Sequence, residues 1–369
     1  MKILSLIPDS LCQPAGGMGE MWRQILPHLR QEVTVEVVDA CTFPSAYVTG
    51  MPEGITLALI RQAELVAECL KSESRPDLIH ANDWSTGWAG MLLANHWNVP
   101  FVYHVHLHID GIMTAIASQL SPYDPMIRAL RDLEFSVMRR ADAIIHVSGH
   151  YANHFSPLFR PKSVTIHNSV DADAFTGRDL EHENTPLRVV YLGRFASMKN
   201  VQSLLAADIP EGVEVWFAGS ARGADSYLHD EVLAVTREHP QMRYVGPVYG
   251  EEKSRLLREA DALIIPSLHE PFGIVALEAM AAGCVLLSSR QGGLAETLHT
   301  DCGLPCGTTV TSISEALSSL RNLSPGERRS MREAGMRHSR LWSYDKQARN
   351  LLDVYDAVFK RLLVQPTGA

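Results

Sequence analysis

Four loops carry residue types able to handle an anionic, hydroxyl-rich ligand. The sharpest is Ser267-Leu268-His269-Glu270-Pro271-Phe272-Gly273, running into Ile274-Val275-Ala276-Leu277-Glu278. Glu270 falls in the loop and Glu278 about a turn and a half into the helix. Gly273 frees the helix N-terminus, whose amides and positive dipole end can cradle an anion. Two carboxylates beside such an anion site suit a sugar nucleotide: amides take the diphosphate, and acids take the ribose and sugar hydroxyls.

A second loop, Leu192-Gly193-Arg194-Phe195-Ala196-Ser197-Met198-Lys199-Asn200, sets one cation directly after a strand and another five residues later at the mouth of a helix. That pair can bracket two phosphates of one nucleotide. A third, Gln13-Pro14-Ala15-Gly16-Gly17-Met18-Gly19-Glu20, joins the opening strand to a helix. Its glycines would let backbone N–H groups approach a phosphate, and a tight structural turn explains them equally well.

The fourth region is a pair of loops, His80-Ala81-Asn82-Asp83-Trp84 and His104-Val105-His106-Leu107-His108-Ile109-Asp110-Gly111. Asp83 beside Trp84 reads as a hydroxyl-binding carboxylate next to a stacking platform, or as a helix N-cap. The three alternating histidines would share one face of a strand, a spacing that also suits a metal. No carboxylate or cysteine stands at a matching offset, so packing or cleft-lining is the commoner use.

The elements that must position these loops follow a βα rhythm. Short apolar runs at 3–7, 33–38, 77–80, 101–108, 143–147 and 163–167 alternate with helical periods at 18–29, 55–71, 86–96 and 127–140. After a polar stretch the rhythm restarts, with strands expected at 188–192, 213–218, 242–245, 262–266 and 285–288 and helices at 224–237, 251–260 and 274–282. This pattern predicts two α/β domains, each a doubly wound parallel sheet of Rossmann-like type that binds ligands at the carboxyl ends of its strands. The expected division is 1–173, a linker at 174–186, and 187–342. Residues 343–369 carry one apolar stripe along a long terminal helix.

The 369-residue length is a prior for two such domains. The formal charge of −9 argues against a nucleic-acid partner. Residues 1–173 hold 12 basic against 18 acidic side chains, net −6, which disfavours docking on an anionic membrane. No apolar run approaches the roughly 18 residues that a membrane span needs. The scattered cysteines 12, 41, 69, 284, 302 and 306 read as free thiols in a reducing cytoplasm.

With these residues in place, the sequence resembles the retaining, nucleotide-sugar-dependent glycosyltransferases of GT-B fold, group 1, over nearly its whole length. A Glu-x7-Glu signature is matched by Glu270 and Glu278, an Arg…Lys pair by Arg194 and Lys199, and a glycine-rich N-terminal loop by Gly16 to Gly19. The His80 to Trp84 segment and the Gly-Gly-x-Gly loop are similar to those of bacterial glycogen and starch synthases. Those polymerases commonly have a lysine ahead of the glycine loop, where this chain has Gln13-Pro14-Ala15. Transfer to a small-molecule or oligosaccharide acceptor is therefore preferred over polymer synthesis.

The resemblance implies two domains facing a central cleft, with the terminal helix crossing back to the first. It also implies roles. Arg194 and Lys199 neutralise the leaving diphosphate, Glu278 binds ribose, and Glu270 binds the transferred hexose. The amides of Phe272, Gly273, Ile274 and Val275 hold donor sugar and phosphates. His106 is the active-site histidine, and Gly17 and Gly19 line the donor site. Gly219 and Val248 lie where the base should sit. Asp83, Trp84, His106 and Asp110 are the acceptor-side candidates. The configuration at the anomeric carbon would be retained, without a metal or other cofactor, and domain closure is expected.

A UDP-sugar is favoured over a GDP- or ADP-sugar, and a cytoplasmic monomer or homodimer is expected. Competing readings are a glucan polymerase, a sugar-nucleotide epimerase or phosphorylase, and a catalytically inactive nucleotide-sugar binding module.

Overall fold

The computed structural model of the chain describes all residues except 9–10, 12–16, 40–52, 73, 110, 112–124, 155–158, 222–224 and 365–369. The chain divides into two units, Met1–Asn168 with Tyr344–Ala369, and Ser169–Ser343.

In the first unit, β1 (Lys2–Ile7), β2 (Thr34–Asp39), β3 (Leu78–Asn82), β4 (Phe101–Val105), β5 (Ala143–His146) and β6 (Ser163–Thr165) form one sheet in the order β2-β1-β3-β4-β5-β6. Every pairing is parallel. Strands β3, β4 and β5 are buried along their whole length, as a parallel sheet covered by helices on both faces requires. The helix Tyr344–Val364 presents Ala348, Leu351, Val354, Tyr355 and Val358 as a buried stripe. It packs on the helix Gly17–Leu29 of the same unit, where His28 meets Asp345 at 2.6 Å.

In the second unit, β7 (Leu187–Leu192), β8 (Val213–Ala218), β9 (Met242–Tyr244), β10 (Ala262–Ile265), β11 (Val285–Ser288) and β12 (Gly303–Pro305) are again all parallel, in the order β12-β11-β10-β7-β8-β9. The chain winds from β7 outward to β9, then returns to place β10 on the other side of β7. The crossover sets the topological switch point, where open sheets of this kind bind ligands, beyond the carboxyl ends of β7 and β10. In the first sheet the same reversal lies between β1 and β3.

The polar stretch 174–186, expected as a linker, belongs to the second unit, and the first unit ends at Asn168 rather than Asp173. The reason is a fully buried carboxylate. Asp261, just before β10, accepts from Arg178 at 2.8 Å, Arg332 at 3.0 Å, Asn184 Nδ2 at 2.8 Å and the Arg188 amide at 2.8 Å. Polar side chains that read as solvated linker are instead the partners of one buried charge. Strand β12 and the helices Val310–Asn322 and Pro325–Ser339 lie outside the βα rhythm read from the sequence. The strand is three residues of Gly-Leu-Pro, with no β-branched signal. Both helices begin with capping boxes, at Thr309 and Ser324.

Candidate functional site

In the second unit, three of the predicted residues stand on the loops beyond the carboxyl ends of β7 and β10. The loop after β7 carries Arg194 and Lys199, and the loop after β10 carries Glu270. Lys199 Nζ forms an ion pair with Glu270 Oε2, which Ser267 Oγ also approaches at 3.4 Å. Arg194 is exposed and makes no ion pair among the described residues. Its carbonyl accepts from the buried Tyr191 hydroxyl at 3.0 Å. Burial, and the nearby Glu270 charge, hold that phenol in its protonated, donating form.

Asn200 locks the two loops together. It sits in the left-handed region at φ 58° and donates through Nδ2 to the carbonyls of Pro266 at 3.0 Å and Thr308 at 2.8 Å. Gly273 has φ +94° and precedes the helix Ile274–Ala281. The backbone at φ +94° favours glycine, and a Cβ there would stand 2.5 Å from Leu294 Cδ2, so that the leucine methyl would have to shift. The first amides of this helix have no intrahelical acceptor, and Ile274 and Val275 are half-buried beside the loop. The Phe272 side chain instead packs edge-on against Trp342 at 5.5 Å, leaving only its backbone to face a ligand.

Glu278 lies one helical stretch further in, and its Oε1 is held by Lys253 Nζ at 2.5 Å. Gly219 follows β8, and a Cβ there would come within 1.9 Å of the Gly193 carbonyl. The two loops therefore touch backbone to backbone. Val248 is half-buried in the loop after β9.

In the first unit, Gly17 and Gly19 open the helix Gly17–Leu29, Gly17 exposed and Gly19 buried. Asp83 occupies the cap position of the helix Trp84–Trp97 at φ 59°, but makes no cap bond. Its Oδ1 accepts instead from the amides of His106 at 2.6 Å and Leu107 at 2.9 Å, fastening the loop after β4 to the end of β3. Burial pushes this carboxyl up to about 8, against the pull of those two amides. Trp84 is half-buried at the helix start. Asp110 lies outside the described residues.

The three alternating histidines do not share a strand face, because β4 ends at Val105. His104 is fully buried in the strand, while His108 is drawn to Glu134 at 3.3 Å. His106 Nε2 lies 3.1 Å from Asn82 Oδ1, which also accepts from the donor-only indole of Trp22 at 2.8 Å. An oxygen facing Trp22 requires the proton on His106 Nε2, so Nδ1 keeps its lone pair. Burial lowers this imidazole to about 3, and it is neutral at pH 7. Among the described residues, no three His, Cys, Asp or Glu side chains are grouped to hold a metal ion.

Reading the sequence missed Lys253, Asn200 and the Trp22–Asn82 bridge. Asn200 stands beside Lys199, and Asn82 beside Asp83, but their partners are remote in sequence. Lys253 sits in an ordinary charged helix and carries no signal of its own.

Comparison with known proteins covers both units. Residues 176–338 match the family model "Glycosyl transferases group 1", and residues 15–174 match "Glycosyltransferase Family 4". A glycogen synthase of Mycobacterium tuberculosis is 29% identical over 295 residues, 76% of this chain and 69% of that protein. A D-inositol 3-phosphate glycosyltransferase of a Mycobacterium species is 27% identical, covering 93% of this chain and 86% of the relative. Among solved structures, a sucrose-phosphate synthase from Thermosynechococcus elongatus superposes with a TM-score of 0.84 at 20% identity, over 98% of this chain and 99% of that one. HepE of Anabaena, in complex with UDP and glucose, gives 0.73 at 17% identity, over 97% of this chain and 100% of that one.

Proposed function

The chain belongs to the group 1 glycosyltransferases, transferases of GT-B fold, and on that premise we propose that it moves a hexosyl unit from a nucleoside-diphosphate sugar to a hydroxyl of a small-molecule or oligosaccharide acceptor, with retention and without a metal. The observation that carries the reading is at the β7/β10 switch point, where Lys199, from the loop that also bears Arg194, pairs with Glu270 beside a glycine-opened helix start.

In this reading the donor diphosphate lies on the amides of Gly273 to Val275, between Arg194 and Lys199. Lys199 turns from Glu270 to the phosphate, and Glu270 takes a sugar hydroxyl. The two cations and the helix dipole stabilise the charge that develops on the departing diphosphate, and the anomeric carbon ionises towards an oxocarbenium-like state. Front-face attack, with the leaving phosphate accepting the acceptor proton, retains the configuration. Glu278 takes the ribose. His106, with its Nδ1 lone pair, is the first unit's hydrogen-bond acceptor for a sugar hydroxyl.

UDP is the first nucleotide to try, because HepE carries UDP or UDP-glucose. ADP is next, since a starch synthase IV structure is bound to ADP and acarbose. The likeness to glycogen synthase favours a second reading, glucan elongation.

The test is a thermal-shift panel of UDP, GDP and ADP with and without magnesium, run beside Glu278→Ala. A ligand at 100 times its Kd adds about 2.7 kcal/mol of stability. Stabilisation by one nucleotide without metal, blunted in the variant, supports the donor site. A shift that demands magnesium, or none at all, refutes it. Product from the matching sugar nucleotide on a maltooligosaccharide or on a cyclitol then separates the two acceptor readings, and NMR of its anomeric proton tests retention.

A further inference from the structure

The two acids of the candidate site are not partnered alike. Glu270 is held by Lys199, from the loop that also bears Arg194, so its cation has a second use on the donor phosphates. Glu278 is held by Lys253, from the helix Gly250–Glu259, which the loop after β9 leads into. The Lys253 side chain is 21% exposed and that of Glu278 9%. Lys253 Nζ also lies 5.8 Å from the centre of the Phe175 ring, which walls it on one side. The lysine binds only Oε1, and Oε2 of Glu278 takes no hydrogen bond from any described residue. A carboxylate fastened at one oxygen and left unused at the other is built to accept a second donor pair.

We propose that Lys253 is a positioning residue for the donor nucleotide: it fixes the rotamer of Glu278 so that Oε2 meets the vicinal hydroxyls of the ribose. This rests on the donor-site reading above. The lysine touches neither phosphate nor sugar, and acts only through the acid. Its effect is therefore confined to ligands that carry ribose hydroxyls. Removing the cation leaves Glu278 free to rotate towards solvent, and the ribose loses a pre-aimed acceptor.

The experiment is isothermal titration of full-length wild type, Lys253→Met and Lys253→Arg. The ligands are the diphosphate among UDP, GDP and ADP that binds wild type, and its 2′,3′-dideoxy counterpart. Lys253→Met is expected to raise Kd for the ribonucleotide about tenfold, the scale of one charged hydrogen bond, and to change Kd for the dideoxy compound less than twofold. Lys253→Arg restores ribonucleotide binding to within about threefold of wild type. Equal weakening of both ligands would mean that Lys253 merely supports the fold, and no change in either would mean that it is idle; both overturn the proposal. If wild type binds none of the three diphosphates, the donor-site reading itself fails, and the proposal with it. A wild type that binds while Lys253→Met behaves identically sinks only the role of Lys253.

Discussion

Mild acid should loosen the first unit selectively, and the effect can be worked from its buried histidines. His80, His106 and His146 are buried and each is lowered to about 3 by burial, against an ordinary 6.5. His104, with both ring nitrogens buried and unpartnered, is lowered further. The unfolded chain takes up these protons below pH 6.5 while the folded unit does not. The stabilisation is therefore complete above 6.5 and is lost as pH falls towards 3. Between pH 7 and pH 5 each of the three loses about 2 kcal/mol, roughly 6 in all.

Asp83 works in the opposite direction. Its folded value near 8 lies above its ordinary 3.8, so protonation favours the folded unit as pH falls, returning roughly 2–3 kcal/mol over the same interval. The net expectation is a loss of about 3 kcal/mol at pH 5, with His104 adding to it, a large share of a domain's usual 5–15. Asn at position 83 keeps the oxygen that binds the His106 and Leu107 amides but cannot titrate, so in Asp83→Asn the loss should steepen to about 6 kcal/mol. Amide exchange read by mass spectrometry, corrected for intrinsic rates, would compare peptides from 1–168 with those from 169–343. A first unit equally protected at pH 7 and pH 5, or an Asp83→Asn variant no steeper than wild type, would refute the reasoning.

Three further outcomes follow from the second unit. Gly273→Ala forces a left-handed residue against Leu294 and should lower that unit's stability by about 1–3 kcal/mol, with weaker diphosphate binding by calorimetry. Asp261→Ala leaves Arg178 and Arg332 buried without their carboxylate. It should cost about 3–5 kcal/mol in urea unfolding, while any protein still folded binds nucleotide as wild type does, because Asp261 precedes β10 and the candidate site lies beyond its far end. Asn200→Ala removes two carbonyl anchors and a residue tolerant of φ 58°. A fall of about 1–3 kcal/mol in stability, together with a several-fold rise in nucleotide Kd, would show that it sets the position of Lys199; a change in stability alone would show that it does not.

Much of this protein was legible in one dimension because its signals are local. Parallel strands buried on both faces read as short apolar runs, and the glycines and charges that follow them mark strand ends. Hence eleven of the twelve strands among the described residues, the group 1 resemblance, and the loops bearing Arg194, Lys199, Glu270 and Gly273 could be read directly. Three kinds of feature could not. Strand β12 is too short to show a period and forms because β11 pairs with it, whereas the helices Val310–Asn322 and Pro325–Ser339 carry local signals of their own, a capping box each and, in the first, buried Ile313, Ala316, Leu317 and Leu320 at helical spacing. The stretch 174–186 looked like linker because polarity alone does not distinguish a side chain facing water from one facing a buried carboxylate such as Asp261.

The partner of each functional group was likewise a matter of tertiary structure. Which lysine holds which glutamate, and which nitrogen of His106 carries the proton, depend on residues 71, 25, 24 and 60 positions apart in sequence, for Lys199–Glu270, Lys253–Glu278, Asn82–His106 and Trp22–Asn82. Residue type and spacing determine what chemistry a loop can offer. Hydrogen bonds and ion pairs act over about 3 Å, so only the folded sheets, by bringing distant strand ends side by side, decide which of those groups meet.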